Sequence, residues 1–309
     1  MESLLTNLIA RGGTELMAGR INSLPQDLLS HFNIIHSRNS GIDVTKKNIL
    51  VIHDLAQDPM YSYFKDEGWR QFDKLVFVSH WQKQQFQDWL GVPPSAGVVL
   101  RNAITPIEEH AKPMDKIRLM YYSTPHRGLD ILYPVFDHLT KQFSDIELNV
   151  FSSFDLYAWP ERDVQYQDLF KKLEDHPQIN YSKSVSNDKI REELKRNHIL
   201  AYPSTWQETS CLVLIEAMSA GLTCVHSSLA ALPETSMNLT MMYEYHENPN
   251  VHAQRFYNQL HNAITLRREY SEHTGFVNNA AVKKSLTDSV YAWDTRSREW
   301  ETLLKSLLT

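Results

Sequence analysis

Short apolar runs, each four to seven residues long, alternate with helix-length stretches along most of this chain. The runs lie at 49–53 (ILVIH), 75–79 (LVFVS), 98–101 (VVLR), 117–123 (IRLMYYS), 147–151 (ELNVF), 199–202 (ILAY) and 222–226 (LTCVH). Few of them alternate apolar with polar, the pattern of strands covered on both faces. Between them, residues 14–22, 81–90, 129–143, 163–174, 187–196 and 210–220 carry helical patterning. Strand and helix in strict succession predict an α/β fold with parallel sheets. After about residue 244 the apolar runs stop, and 251–268 and 293–308 read as helices. The last of these sets Trp293, Trp300, Leu303, Leu304 and Leu307 near one face.

The alternation breaks at residues 103–116, AITPIEEHAKPMDK, which hold two prolines, several charges and no periodicity. This stretch reads as a linker and divides the chain into 1–107, 108–292 and a final helix, 293–309. Apolar residues make up 42% of the 309, enough for a core in each part. The first 107 residues are charge-neutral, so the whole net charge of −6 lies beyond them. That balance argues against a nucleic-acid partner. No run of about 18 apolar residues occurs, which excludes a membrane-spanning helix, and the N-terminus lacks the apolar core of a signal peptide. Peripheral membrane contact is left open but not indicated. With two cysteines, Cys211 and Cys224, no disulfide framework exists and a reducing, cytoplasmic setting is expected.

Residues 201–234, AYPSTWQETSCLVLIEAMSAGLTCVHSSLAALPE, carry the most chemistry. A strand end leads through a polar loop into an almost wholly apolar helix, with Thr209 or Ser210 as its cap and Gly221 at its exit. Glu216 sits in the middle of that helix, and a buried carboxylate needs a partner. Glu208 lies eight positions earlier on the loop. On one reading both carboxylates face a cleft above the carboxyl end of a parallel strand, where α/β sheets bind ligands. The first-turn N–H groups near Cys211 and Leu212 would point at the same space and suit a diphosphate. On the other reading Glu216 pairs with a buried Arg or Lys and Glu208 is a solvated loop residue.

The context is specific. Glu208 and Glu216 are separated by seven residues, with Pro203-Ser204 upstream and Ala217-Met218, Gly221 and Leu232-Pro233-Glu234 downstream. Together these resemble the retaining glycosyltransferases of family GT4. Gly12-Gly13-Thr14-Glu15 looks like that family's first glycine turn, and His53-Asp54 follows a strand as its active-site histidine does. Residues 76–79 and 102–104 look like the segments closing its first domain. Residues 123–129, STPHRGL, look like the basic-Gly turn opening its second. The C-terminal helix resembles the one that crosses back to the first domain. The resemblance covers nearly the whole chain and implies the GT-B architecture: two Rossmann-like domains with parallel sheets and an inter-domain cleft.

It also implies roles. Glu216 would hold the ribose hydroxyls, which a carboxylate can accept in bidentate fashion. Glu208 would face the donor sugar, and Arg127 would stabilise the leaving diphosphate. Gly13, Thr209, Ser210, Cys211 and Leu212 would complete the donor site. The family has Phe-Gly where this chain has Ser210-Cys211. It has a second basic residue near Tyr122, a place for which Lys183 and His126 are the candidates here. His53 would join Arg127 and Glu208 among the reacting groups, with Asp54 orienting it. Gly12, Glu15 and Asp54 would lie on the acceptor side. The family's first strand has no counterpart in MESLLTNLIA, residues 1–10.

The expected function is transfer of a sugar, hexosyltransferase-like, from a UDP- or GDP-sugar to an acceptor hydroxyl. No cofactor or metal is expected, because no Asp-x-Asp motif or zinc-spaced cluster occurs. Two alternatives share the fold: an epimerase or hydrolase of sugar nucleotides, and a non-catalytic nucleotide-sugar-binding protein. The acceptor and the oligomeric state are not legible.

Overall fold

The structure, a computed structural model, describes residues 12–38, 41–270 and 273–309. The reading of residues 1–10 therefore lies outside the described residues. Four strands, β1 (Phe32–His36), β2 (Lys47–Ile52), β3 (Lys74–Phe77) and β4 (Gly97–Val99), form a parallel sheet in sequential order. Six more, β5 (Ile117–Tyr122), β6 (Ile146–Phe151), β7 (Ile179–Ser182), β8 (Ile199–Tyr202), β9 (Thr223–Ser227) and β10 (Met241–Tyr243), form a second parallel sheet, ordered β10-β9-β8-β5-β6-β7. The strand order reverses between β5 and β8, so a crevice opens beyond their carboxyl ends. The fold is α/β with two Rossmann-like lobes.

Helices α1 (Gly13–Ile21) and α2 (Gln26–Leu29) precede the first sheet, and α3 (His80–Leu90) joins β3 to β4. In the second lobe α4 (Leu129–Thr140), α5 (Gln167–Asp175), α6 (Asn187–Arg196), α7 (Leu212–Ser219) and α8 (Leu232–Ser236) follow successive strands. The chain ends with α9 (Pro249–Tyr270), α10 (Thr274–Tyr291) and α11 (Trp293–Leu308).

Each sheet is covered because its central strands are apolar on both faces. One face of the first sheet packs an aromatic cluster that includes Tyr61, Phe64, Phe77 and Phe86. The other face packs Ile21, Leu24 and Leu28 together with Trp300 and Leu304 of α11. The last helix thus returns to the first lobe, using the face its spacing indicated. Two chain crossings join the lobes and bond to each other: Ile104 N–H donates to Tyr291 O, and Trp293 N–H to Ile104 O. Arg191 of α6 braces this hinge through the carbonyls of Thr105 and Pro106, at 2.9 and 3.1 Å.

Candidate functional site

The loops that follow β5 and β8 meet at the crevice. After β5 the chain turns through Arg127 and Gly128. Gly128 has φ +98, and a Cβ there would lie 2.0 Å from Pro203 O, so only glycine fits. This close crossing brings the Arg127 guanidinium to Glu208. Arg127 Nη1 donates to Glu208 Oε1 at 2.5 Å, and the Tyr202 hydroxyl donates to the same oxygen at 2.6 Å. All three side chains are largely buried. Burial and the neighbouring Glu208 carboxylate push the Tyr202 hydroxyl well above its ordinary pKa. The Arg127 Nε–H is buried and makes no hydrogen bond, so the guanidinium has a donor left for a second anion.

The two motif glutamates therefore exchange the environments that one reading gave them. Glu208 is the ion-paired carboxylate. Glu216, half-buried on α7, makes no hydrogen bond or ion pair among the described residues. Loss of water raises its pKa, and the fields of Arg191 and Arg20 oppose that rise. Its carboxylate is held ready by charge at a distance, with its lone pairs unengaged.

Between the glutamates α7 begins at Cys211, which gives no side-chain cap. Thr209 and Ser210 do not cap the helix. Thr209 Oγ1 instead donates to His53 O at 2.7 Å, tying the second lobe to the end of β2. The first turn of α7 keeps its N–H groups for a ligand. Cys211 is buried, and desolvation raises its thiol pKa, so it acts as a small apolar residue.

The glycine turn closes on this helix. A Cβ on Gly13 would lie 3.2 Å from Leu212, and one on Gly12 would lie 2.7 Å from the Tyr157 ring. Gly12 has φ −73, so these glycines serve close approach between lobes rather than a left-handed turn. Glu15 is exposed on the first turn of α1, and its charge acts on the Tyr157 hydroxyl, as do those of Arg127 and Glu208.

His53, just past β2, stacks on His36 at the end of β1, ring centroids 5.9 Å apart. Burial, reinforced by His36, pushes the His53 pKa down to about 3. Asp54 does not orient it: the Asp54 carboxylate accepts from the Tyr61 hydroxyl at 3.1 Å. Among the described residues, neither His126 nor Lys183 replaces the basic residue missing near Tyr122. Tyr122 is buried and donates to Val213 O at 2.6 Å. His126 stacks on Phe154, and burial with Arg127 and Arg162 nearby lowers its pKa to about 4, which keeps it neutral. Lys183 is exposed. Among the described residues, no three His, Cys, Asp or Glu side chains are placed to hold a metal ion.

Tyr202, Tyr157, His36, Arg20 and Arg191 were not apparent as site residues. His36 left one trace: NIIH and LVIH end alike, His36 closing β1 and His53 following β2, the strand that pairs with it. Glu234 was visible only as part of a motif. Its carboxylate accepts from His80 N and Trp81 N at 3.1 and 3.0 Å, joining α8 to the first turn of α3 in the other lobe.

The family profile of glycosyl transferases group 1 matches residues 105–272, over half of the chain. The chain belongs to this family. Its fold is that of GT-B glycosyltransferases. A glycosyltransferase from Rickettsia africae is 14% identical, with a TM-score of 0.71 over 96% of this chain and 81% of its own. Sucrose-phosphate synthase from Thermosynechococcus elongatus is 11% identical, TM-score 0.69, covering 96% and 79%. HepE of Anabaena, solved with UDP-glucose, is 14% identical, TM-score 0.63, covering 84% and 72%. A search among curated proteins finds no match. Among its described residues this glycosyltransferase has no helix long and apolar enough to cross a membrane.

Proposed function

We propose that this glycosyltransferase is a retaining, metal-independent enzyme of the GT4 kind, using a UDP- or GDP-sugar as donor. The observation that carries the reading is the meeting of Arg127, Glu208 and the open first turn of α7 at one crevice, with the unengaged Glu216 beside it. Glu216 would accept the two ribose hydroxyls. The diphosphate would lie on the α7 N-terminus and take the spare Nε–H of Arg127. As the C1–O bond to phosphate breaks, its electron pair passes to the diphosphate, where fixed positive charge is worth most. The acceptor oxygen bonds to C1 on the face the diphosphate leaves, and the acceptor proton goes to a departing phosphate oxygen.

Glu208 holds Arg127 in place and lowers the local positive charge, so the guanidinium is tolerated in a water-poor site before any donor binds. His53 is neutral at working pH and would contact a hydroxyl without acting as a base. The first lobe would supply the acceptor side through Gly12, Glu15 and Asp54. A chain with two free buried cysteines suits a reducing, cytoplasmic setting.

The test is a melting-shift screen of the wild type and Glu216→Ala with UDP- and GDP-sugars, followed by anomer analysis of any product. A nucleotide sugar should stabilise the wild type, and Glu216→Ala should bind it at least tenfold more weakly. If no nucleotide sugar binds, or the variant binds equally, the donor assignment is wrong. An inverted product or a need for added metal would sink the corresponding part of the reading.

A further inference from the structure

A cavity of about 130 Å³ lies at the opposite end of the second sheet from the crevice. Its walls come from residues 114–117, where the linker runs into β5, from Asp145 ahead of β6, from His198 ahead of β8, and from Arg267 and Arg268 in the last turn of α9. At roughly 30 Å³ per water it has room for about four, which suits a small ion and not a nucleotide. Positive charge gathers around it. Arg267 Nη2 rests 3.6 Å from Met114 Sδ, and Lys116, which also reaches Glu147 at 3.1 Å, lines the same space. Behind them Lys112 donates to the carbonyls of Leu194 and Asn197, at 3.2 and 2.6 Å. Burial and the field of Arg267 hold its pKa down to about 7. His198 is held down to about 4, by burial first and then by Arg267 and Lys112. Both its ring nitrogens are engaged: Nδ1 accepts from Arg118 N–H at 2.9 Å and Nε2 donates to Pro113 O at 2.8 Å, so it forms a neutral wall.

Among these cations stands a carboxylate with one oxygen unused. Asp145 Oδ1 is buried and has no hydrogen-bond partner, while its Oδ2 lies 3.5 Å from Arg268 Nε. The other carboxylate of the cavity, Asp115, is engaged by both Arg118 Nη atoms, at 2.8 and 2.7 Å. A buried carboxylate oxygen calls for a donor, and the cations around it call for an anion. An anion that carries its own proton meets both needs.

We propose that this cavity binds inorganic phosphate in its hydrogenphosphate form, Arg267, Arg268 and Lys116 meeting the charged oxygens and Asp145 Oδ1 accepting the P–OH proton. Charge-assisted bonds of both kinds are the strong ones. The proton selects the ligand. Sulfate has the same shape and charge but no proton at neutral pH, so it sets a bare oxygen against Asp145. A phosphomonoester loses its last proton with a pKa near about 6, and above pH 7 it meets the same repulsion. Hydrogenphosphate keeps its proton there. The bound ion pins the end of the inter-lobe linker to α9. The site is separate from the crevice and does not depend on the donor reading.

The test titrates the full chain with inorganic phosphate, sulfate and glucose 6-phosphate by calorimetry at pH 7.5 and constant ionic strength, with and without UDP. Phosphate should bind the wild type at least about tenfold more tightly than the other two, the worth of one hydrogen bond to a charged group. UDP should leave that binding unchanged. Arg268→Gln alters a half-exposed side chain, so it should melt as the wild type does while binding phosphate at least about fivefold more weakly. Asp145→Asn replaces the acceptor with an amide that can donate, and should bind sulfate and phosphate within about twofold of each other. The proposal is overturned if phosphate does not bind, if UDP displaces it, or if the wild type binds sulfate or glucose 6-phosphate equally well. Unchanged phosphate affinity in Arg268→Gln, or selectivity that survives Asp145→Asn, would overturn it too.

Discussion

Replacing Glu234 with alanine removes a carboxylate that clasps the two lobes across the cleft. Its two oxygens accept from the backbone N–H groups of His80 and Trp81, and Arg101 Nη2 approaches at 3.3 Å. Hydrogen bonds to a charged acceptor contribute roughly 1.5–3 kcal/mol each when desolvated. The His80 bond is solvent-exposed and the Arg101 pair is partly exposed, so these add at most about 1 kcal/mol apiece. Together the clasp favours closure by about 1.5–5 kcal/mol, a factor of roughly 10–4,000 in the closed-to-open ratio at about 1.4 kcal/mol per decade. Global stability should change less, because each lobe has its own core and α11 still straps the first.

The direct assay is amide exchange at His80 and Trp81, read beside turnover. Glu234→Ala should speed exchange at those two amides at least tenfold and lower kcat/KM for the donor by a similar factor. Glu234→Gln keeps an acceptor but loses the charge, and should fall between Ala and wild type. Unchanged exchange in the alanine variant would refute the clasp. Faster exchange with wild-type turnover would show that closure at this point does not limit the reaction.

Three further outcomes follow from the site. Tyr202→Phe removes one hydroxyl from Glu208 and should lower kcat about tenfold or more while donor KM stays within about threefold; a hydrogen bond to a charged group is worth roughly 1.5–3 kcal/mol. If kcat is unchanged, Tyr202 does not position Glu208. Glu216→Gln should raise the Tm of the ligand-free protein at pH 7. Burial raises this carboxyl's pKa, so the ionised form is penalised in the fold, and the gain should vanish as pH falls below the unfolded-state value; a lower Tm at pH 7 would contradict the unengaged carboxylate. The buried histidines predict acid lability. His53 is pushed down to about 3, chiefly by burial, and His198 and His226 to about 4, also chiefly by burial. The unfolded chain binds more protons below about pH 6.5, so stability is complete above that value and is lost as pH falls toward 4. Each imidazole adds a slope approaching about 1.4 kcal/mol per pH unit. Urea unfolding at pH 7, 6 and 5 measures it, and equal stabilities across that range would sink the argument.

Which strands the sequence revealed follows from their place in the sheets. Strands β2, β3, β5, β6, β8 and β9, all flanked by neighbours on both sides, were legible as apolar runs, because residues on both faces are covered. Strands β1, β7 and β10 were not, and each lies at a sheet edge, although the fourth edge strand, β4, was legible from its run of valines. Partly exposed positions in β1 and β7 admit Asn33, Asn180 and Ser182, which break the apolar run, and β10 is only three residues long. Missing β1 also hid His36, its last residue. The donor-side motif was legible because its residues lie within one loop and helix. The Arg127–Glu208 contact was not, since it joins residues 81 apart and depends on β5 and β8 being neighbours. Only strand order decides that.

On the proposed function, the ion pair also explains how an acidic chain would hold a polyanionic donor. A buried guanidinium without a partner would cost several kcal/mol, so Arg127 can be kept at the crevice only with a carboxylate beside it. Glu208 meets that need through one oxygen, and Tyr202 shares the same oxygen. The Nε–H of Arg127 is left without a hydrogen bond. The first turn of α7 adds partial positive charge with no side chain at all. Among the described residues Glu216 makes no hydrogen bond, while the fields of Arg191 and Arg20 oppose the rise that burial gives its pKa, which leaves its lone pairs for hydroxyl donors. Anion recognition of this kind needs one cation and one helix end, both shielded from bulk water. The net charge of −6 elsewhere on the chain acts through solvent and is screened within about 8–10 Å at physiological salt. The local arrangement therefore decides the ligand, and the surface charge does not oppose it.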